Sequence, residues 1–113
     1  MTERNKPIVF HGTSLADLRD FPDGARREAG FQLGLVELGR DPFDWKPMAT
    51  IGKSVREILI REPEGAFRVI YVAKFGTAVF VLHCFQKKTQ ATSQKDINLA
   101  TQRYKELLKE LNP

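Results

Sequence analysis

Scarcity does much of the sorting in this chain of 113 residues, which has one cysteine and two histidines. Cys84 alone cannot close an intramolecular disulfide, and its neighbours Leu82 and Phe85 mark it as a small hydrophobe in a strand rather than a catalytic thiol. His11 and His83 stand far apart with no paired ligand motif beside either, so no metal site is expected. There is no P-loop, dinucleotide fingerprint or Gly-x-Ser-x-Gly elbow, which removes nucleotide-dependent chemistry and serine hydrolysis and leaves no cofactor to expect. No apolar run approaches the length that crosses a bilayer. MTERNKPIVF has no apolar signal core, so the expectation is a soluble, cytoplasmic protein without membrane partners. Repeats, low-complexity tracts and linkers are also missing, and the length suits a single domain over 1–113.

What the chain does contain is a modest excess of base. Eighteen Lys and Arg against 14 Asp and Glu give a net charge of +4, which permits an anionic partner such as nucleic acid. PIVFH reads as a short first strand, after which Thr13 or Ser14 caps a helix through Leu15, Leu18 and Phe21. Pro22 suits the first turn of a second helix with Ala25, Ala29, Leu33 and Val36 on one face and Gly39 as its stop. Gly30 and Gly34, one turn apart, read either as a place of close approach to a neighbouring element or as tolerated weak spots. RDPFDWKPMATIGKS reads as an ordered loop anchored by Phe43, Trp45 and Met48. VREILIR, AFRVIYVA and AVFVLHCF are three strands joined by short turns, so they should pair as an antiparallel meander. Ser93 with Asp96 forms a capping-box pattern before an amphipathic helix bearing Ile97, Ala100, Tyr104, Leu107, Leu108 and Leu111.

Chemistry, if present, lies with the basic residues. Alternation puts Arg68 beside Ala66, Ile70 and Val72, and two readings stand for it: a cross-sheet pair with Glu57, or a rigid fork for phosphate. Lys87 and Lys88 follow the last strand. With Lys53, Arg56 and Arg61 they form a candidate basic surface for a phosphate backbone, to which Gln86 adds a polar contact. His83, placed on a strand face with Val81 and Phe85, reads as a packed histidine before a catalyst, and Tyr71 as core.

The pieces HGTSLADLRDFPDGARREAGFQLG, DPFDWKPM, GKSVREI, GAFRVIYVAKFGTAVFVLHCFQKKTQ and TSQKDINLATQRYKEL together resemble the phage-derived, HigB-like branch of the RelE/ParE toxin superfamily. The resemblance covers nearly the whole chain, and GAFRVIYVA followed by VLHCFQKKTQ is its most specific part. It implies an α+β fold, an antiparallel sheet with two N-terminal helices and a C-terminal helix packed on it. It also implies the toxin of a type II toxin–antitoxin pair, a ribosome-dependent mRNA endonuclease partnered by a helix-turn-helix antitoxin encoded nearby. The family chemistry uses the RNA's own 2′-hydroxyl as nucleophile and no metal.

On that resemblance Arg68 grips the scissile phosphate, and Lys87 and Lys88 contact the transition state or the leaving group. The general base stays open between a lysine, Glu57 and His83. Lowering a lysine pKa from about 10.4 to about 7 or 8 takes roughly 3 to 4 kcal/mol. One exposed like charge at close range supplies only about 1 kcal/mol in water, so neighbouring lysines do not suffice. The chain departs from the Glu-Ile-Arg-Ile pattern of the branch at Glu57-Ile58-Leu59-Ile60. Leu59 cannot bind phosphate, and Arg61, two positions on, is the substitute on the same strand face. The competing class is a non-catalytic, ParE-like inhibitor of gyrase, or a degenerate toxin serving only as an antitoxin-binding module.

Overall fold

A computed structural model describes residues 6–112. In chain order the elements are β1 (Ile8–Phe10), α1 (Ser14–Arg19), α2 (Asp23–Glu37), β2 (Trp45–Pro47), β3 (Val55–Glu62), β4 (Gly65–Val72), β5 (Val79–Lys87) and α3 (Gln94–Leu111). They form an α+β domain around one five-stranded sheet of order β1-β5-β4-β3-β2. The three long strands form the expected meander. β1 adds to the free edge of β5 in parallel, so the sheet is mixed.

Alternation along β4 divides the core into two. Phe67, Val69 and Tyr71 point to the side covered by α1 and α2, where Leu18, Phe21, Ala25, Ala29, Leu33 and Val36 meet them. Ile70 and Val72 point to the other side, against Ala100, Tyr104 and Leu107 of α3. Because both faces are covered, β4 and β5 read as nearly continuous apolar runs, and only the polar exceptions within them need explaining.

The helix ends follow local rules. Gly39 (φ 81°) lets its own N–H reach the Val36 carbonyl and the Arg40 N–H reach Leu35, the double closure that a left-handed residue makes after a helix. Ser93 caps α3 by accepting from the Asp96 N–H at 3.2 Å. Thr13 does not cap α1 through its side chain; its hydroxyl donates instead to the Asp17 carboxylate at 2.8 Å.

Three expectations change, and for Gly30 and Gly34 one of the two open readings is chosen. The stretch before Ser54 contains β2, a three-residue strand too short to show a period and closed by a proline. Phe43 anchors nothing: it is 72% exposed and stands edge-on to the exposed Phe31 at 5.4 Å. Gly30 and Gly34 bring no element close, since a Cβ at either would meet nothing within 4 Å. Val81 is separated from His83 by a bulge, because Tyr71 pairs with Val81 while Ile70 pairs with His83, leaving Leu82 unpaired. Val81 therefore joins the α2-side core, and His83 and Phe85 turn to the α3 side.

Candidate functional site

Directly paired residues of an antiparallel ladder share a face, so the register locates the polar residues on the α3 side. Lys46, Glu57, Ile70 and His83 form one cross-strand row; Leu59, Arg68 and Phe85 form the next; Arg61, Ala66 and Lys87 form the third, at the sheet's end. Five residues singled out from sequence thus share this face: Glu57, Arg61, Arg68, His83 and Lys87.

Glu57 is fully enclosed. Its Oε2 accepts the Thr92 hydroxyl at 2.8 Å, and its Oε1 faces Arg68 Nε and Lys46 Nζ, each at 3.5 Å. Neither Oε1 nor Arg68 Nε has a hydrogen-bond partner, so the pair is held by charge alone. The Arg68 guanidinium is enclosed too, with Nη1 donating to the Phe67 carbonyl at 3.1 Å. Burial presses its pKa down against the opposing pull of Glu57. Of the two readings, the cross-sheet pair with Glu57 is the one this arrangement realises. What Arg68 offers the surface is its field rather than an open fork.

That field reaches Lys87. Half-buried at the end of β5, Lys87 has its pKa lowered first by desolvation and then by the positive charges of Arg68, Lys46 and Arg61, with Glu57 opposing. Beside it opens a cleft of about 260 Å³ lined by Phe85, Lys87, Lys88, Ser93, Lys95 and Asp96. Phe85 forms part of its wall and stacks on the His83 ring at 4.7 Å. His83 Nε2 donates to Asp96 Oδ1 at 2.7 Å, and the second Asp96 oxygen accepts the Ser93 hydroxyl at 2.7 Å. His83 is thereby tied to the first turn of α3, with its Nδ1 buried and unpartnered.

The remaining candidates lie elsewhere. Arg56 is on the α2 side, over the Trp45 ring at 3.9 Å and bonded to Asp41 at 2.9 Å. Lys53 precedes β3 at the end of the sheet opposite Lys87. Gln86 pairs with Phe67, so it faces the α2 side, where its Nε2 donates to the Glu64 carbonyl at 3.2 Å. The single basic surface therefore splits, with Arg56, Lys53 and Gln86 outside the Lys87 cluster. Arg61 belongs to the cluster but is bonded to Asp44 at 2.7 Å. Lys88 lines the cleft and contacts Gln86 Oε1 at 3.4 Å.

Sequence reasoning missed Lys46, Thr92, Lys95 and the pairing of Asp96 with His83. The capping box had marked Asp96 only as a helix start, and Lys46 lay in a stretch with no period. Among the described residues, no group of three His, Cys, Asp or Glu side chains is placed to hold a metal ion, and no helix is long and apolar enough to cross a membrane.

This fold and this face fit a known lineage. The family model described as phage derived protein Gp49-like matches residues 16–105, from within α1 to well along α3. The chain belongs to the Gp49-like family. That family is part of the RelE/ParE-like toxins, and its members are often the toxins of toxin–antitoxin systems. No protein of curated function matches the chain. The match spans every residue of the Gp49-like chain's Lys87 cluster and of the cleft beside it.

Proposed function

We propose that this Gp49-like protein is a HigB-like toxin that cleaves mRNA on the ribosome and is neutralised by a small helix-turn-helix antitoxin. The observation that carries the reading is Lys87, an amine of lowered pKa in a basic cleft, backed by a buried guanidinium. In the reaction the RNA 2′-oxygen attacks the adjacent phosphorus and the bond to the 5′-oxygen breaks, giving a 2′,3′-cyclic phosphate and a 5′-hydroxyl. One proton leaves the 2′-hydroxyl and one reaches the departing oxygen. Lys88 and Lys95 hold the strand by its phosphates, and Lys87 meets the negative charge that grows on the non-bridging oxygens. An amine of lowered pKa flanked by cations is also the group best suited to move a proton here.

The shift of Lys87 runs in the direction that proton transfer needs: desolvation lowers its pKa first, and the positive charges of Arg68, Lys46 and Arg61 add to that against the opposing carboxylate of Glu57, the partner of Arg68. A second reading, a non-catalytic binding module, draws on the same residue, because Arg68 is closed over Glu57 and Leu59 stands where the pattern has arginine. Induced expression followed by primer extension on abundant mRNAs separates the two. Growth arrest with in-frame cleavage supports the nuclease, and arrest without cleavage leaves the binding module.

A further inference from the structure

The basic residues that the sheet keeps away from Lys87 meet at its other end. A cavity of about 230 Å³ opens where the end of α2 faces the start of β3 and the end of β4, lined among others by Lys6, Arg40, Asp41, Ser54, Arg56 and Tyr71. Tyr71 lies five strand steps along β4 from Ala66, the partner of Lys87, roughly 17 Å at strand rise, and it faces the opposite side of the sheet. The two sites are therefore distinct.

Two of the basic side chains are held by other residues of the lining. Lys6 Nζ donates to the Ala73 carbonyl at 2.9 Å, which holds an ammonium at the rim. Arg56 is clamped between Trp45 and Asp41, so the one carboxylate in the lining is already neutralised. Arg40 is exposed and has no acidic partner among the described residues. A helix C-terminus normally repels anions, but here its last four carbonyls are satisfied. Gly34, Leu35, Val36 and Glu37 accept from Leu38, Leu38 and Arg40, Gly39, and Lys6 respectively. Ser54 holds a left-handed backbone (φ 69°) in the turn that leads into β3 and lines the cavity there.

We propose that this cavity is a phosphate-binding site. Its lining is rich in donor-bearing residues, Lys6, Arg40, Arg56, Tyr71 and Ser54, which come from four separate segments. Such convergence suits a tetrahedral oxyanion approached from several directions better than a flat carboxylate. The phosphate belongs either to a phosphodiester strand or to a free phosphate ester. The site does not depend on RNA cleavage.

The test uses the full chain and follows backbone amides by NMR at constant ionic strength. The probes are inorganic phosphate, a nucleoside 5′-monophosphate and a short all-2′-deoxy oligonucleotide, none of which the proposed reaction can cleave. Saturable shifts at Gly39, Arg40, Ser54 and Ala73 are expected, with Arg40→Gln weakening the binding about tenfold while the rest of the spectrum stays unchanged. Shifts with the oligonucleotide alone assign a strand, and the salt slope should then fall by about 0.7 in Arg40→Gln. Shifts with phosphate or the monophosphate assign a free ester. The proposal is overturned if all probes move only the Lys87 cleft, if Arg40→Gln binds like the parent, or if a polyglutamate peptide moves the same amides as strongly as phosphate. Because cleavage is never read, these results stand whether or not the protein is a nuclease.

Discussion

Arg68 Nε and Glu57 Oε1 lie 3.5 Å apart inside the α3 side of the sheet, where neither side chain is open to water. Two charges withdrawn from solvent without a hydrogen bond between them contribute little net stability, yet each makes the other indispensable. Arg68→Ala would leave Glu57 enclosed with only Lys46 and Thr92. It should cost about 3–5 kcal/mol in chemical denaturation. The double variant Glu57→Leu with Arg68→Met, which removes both charges, should recover most of that loss. If Arg68→Ala instead left the midpoint unchanged, Arg68 would not be the structural partner of Glu57.

Lys87 should show its altered acidity in the reaction. Lys87→Ala is expected to slow single-turnover cleavage about a hundredfold to a thousandfold, as the loss of one preorganised transition-state contact does. The lowered pKa means that the neutral amine is populated at lower pH than in an ordinary lysine. If that amine accepts the 2′-hydroxyl proton, the rate rises with pH and levels off above its pKa. Lys46→Gln removes one of the cations holding the pKa down, so the rising limb should move to higher pH. A limb that stays in place while the rate falls would limit Lys87 to a phosphate contact.

Cys84 offers a probe of global opening. Burial pushes its thiol up to about 12, so at pH 8 only about one molecule in ten thousand carries the reactive thiolate. Alkylation of the folded protein at that pH should be negligible, and it should appear along the same denaturant curve as the loss of helix by circular dichroism. Rapid labelling under native conditions would show that β5 opens locally.

Much of this was readable because period-2 patterns and helix caps are local. VREILIR already separates Arg56, Ile58 and Ile60 from Glu57, Leu59 and Arg61, and the structure keeps that division. Grouping Arg56 with Arg61 ran against the chain's own alternation, as did grouping Gln86 with Lys87. Other features depend on contacts distant in sequence. The unpaired Leu82 reverses the alternation of β5 between Val81 and His83, and no residue in that stretch announces a bulge. Lys46 reaches Glu57 only because a three-residue strand adds to the sheet edge, and Thr92 reaches it because the chain crosses the face before α3. The pairing of Arg68 with Glu57 stood as one of two readings since strand alternation put both on one face. The enclosure that decides between them comes from packing.

Ser93 links that packing to the cleft. Its oxygen accepts the Asp96 N–H, and its hydroxyl bonds the same carboxylate that receives His83 Nε2–H. Ser93→Ala should therefore cost about 1 kcal/mol as a lost cap, read from the denaturation midpoint. It should also release one hydrogen bond on Asp96, visible as a shift of the His83 ring nitrogens in NMR. Ser93→Asp separates the two roles. Aspartate caps a helix as well as serine does, but it sets a second carboxylate against Asp96 and cannot donate to it. Its stability should stay below the parent, whereas Ser93→Thr, which keeps the hydroxyl, should recover both signals. Equal stability of the Ser93→Asp variant and the parent would mean that capping alone accounts for Ser93 and that its hydroxyl does nothing for the Asp96–His83 pair.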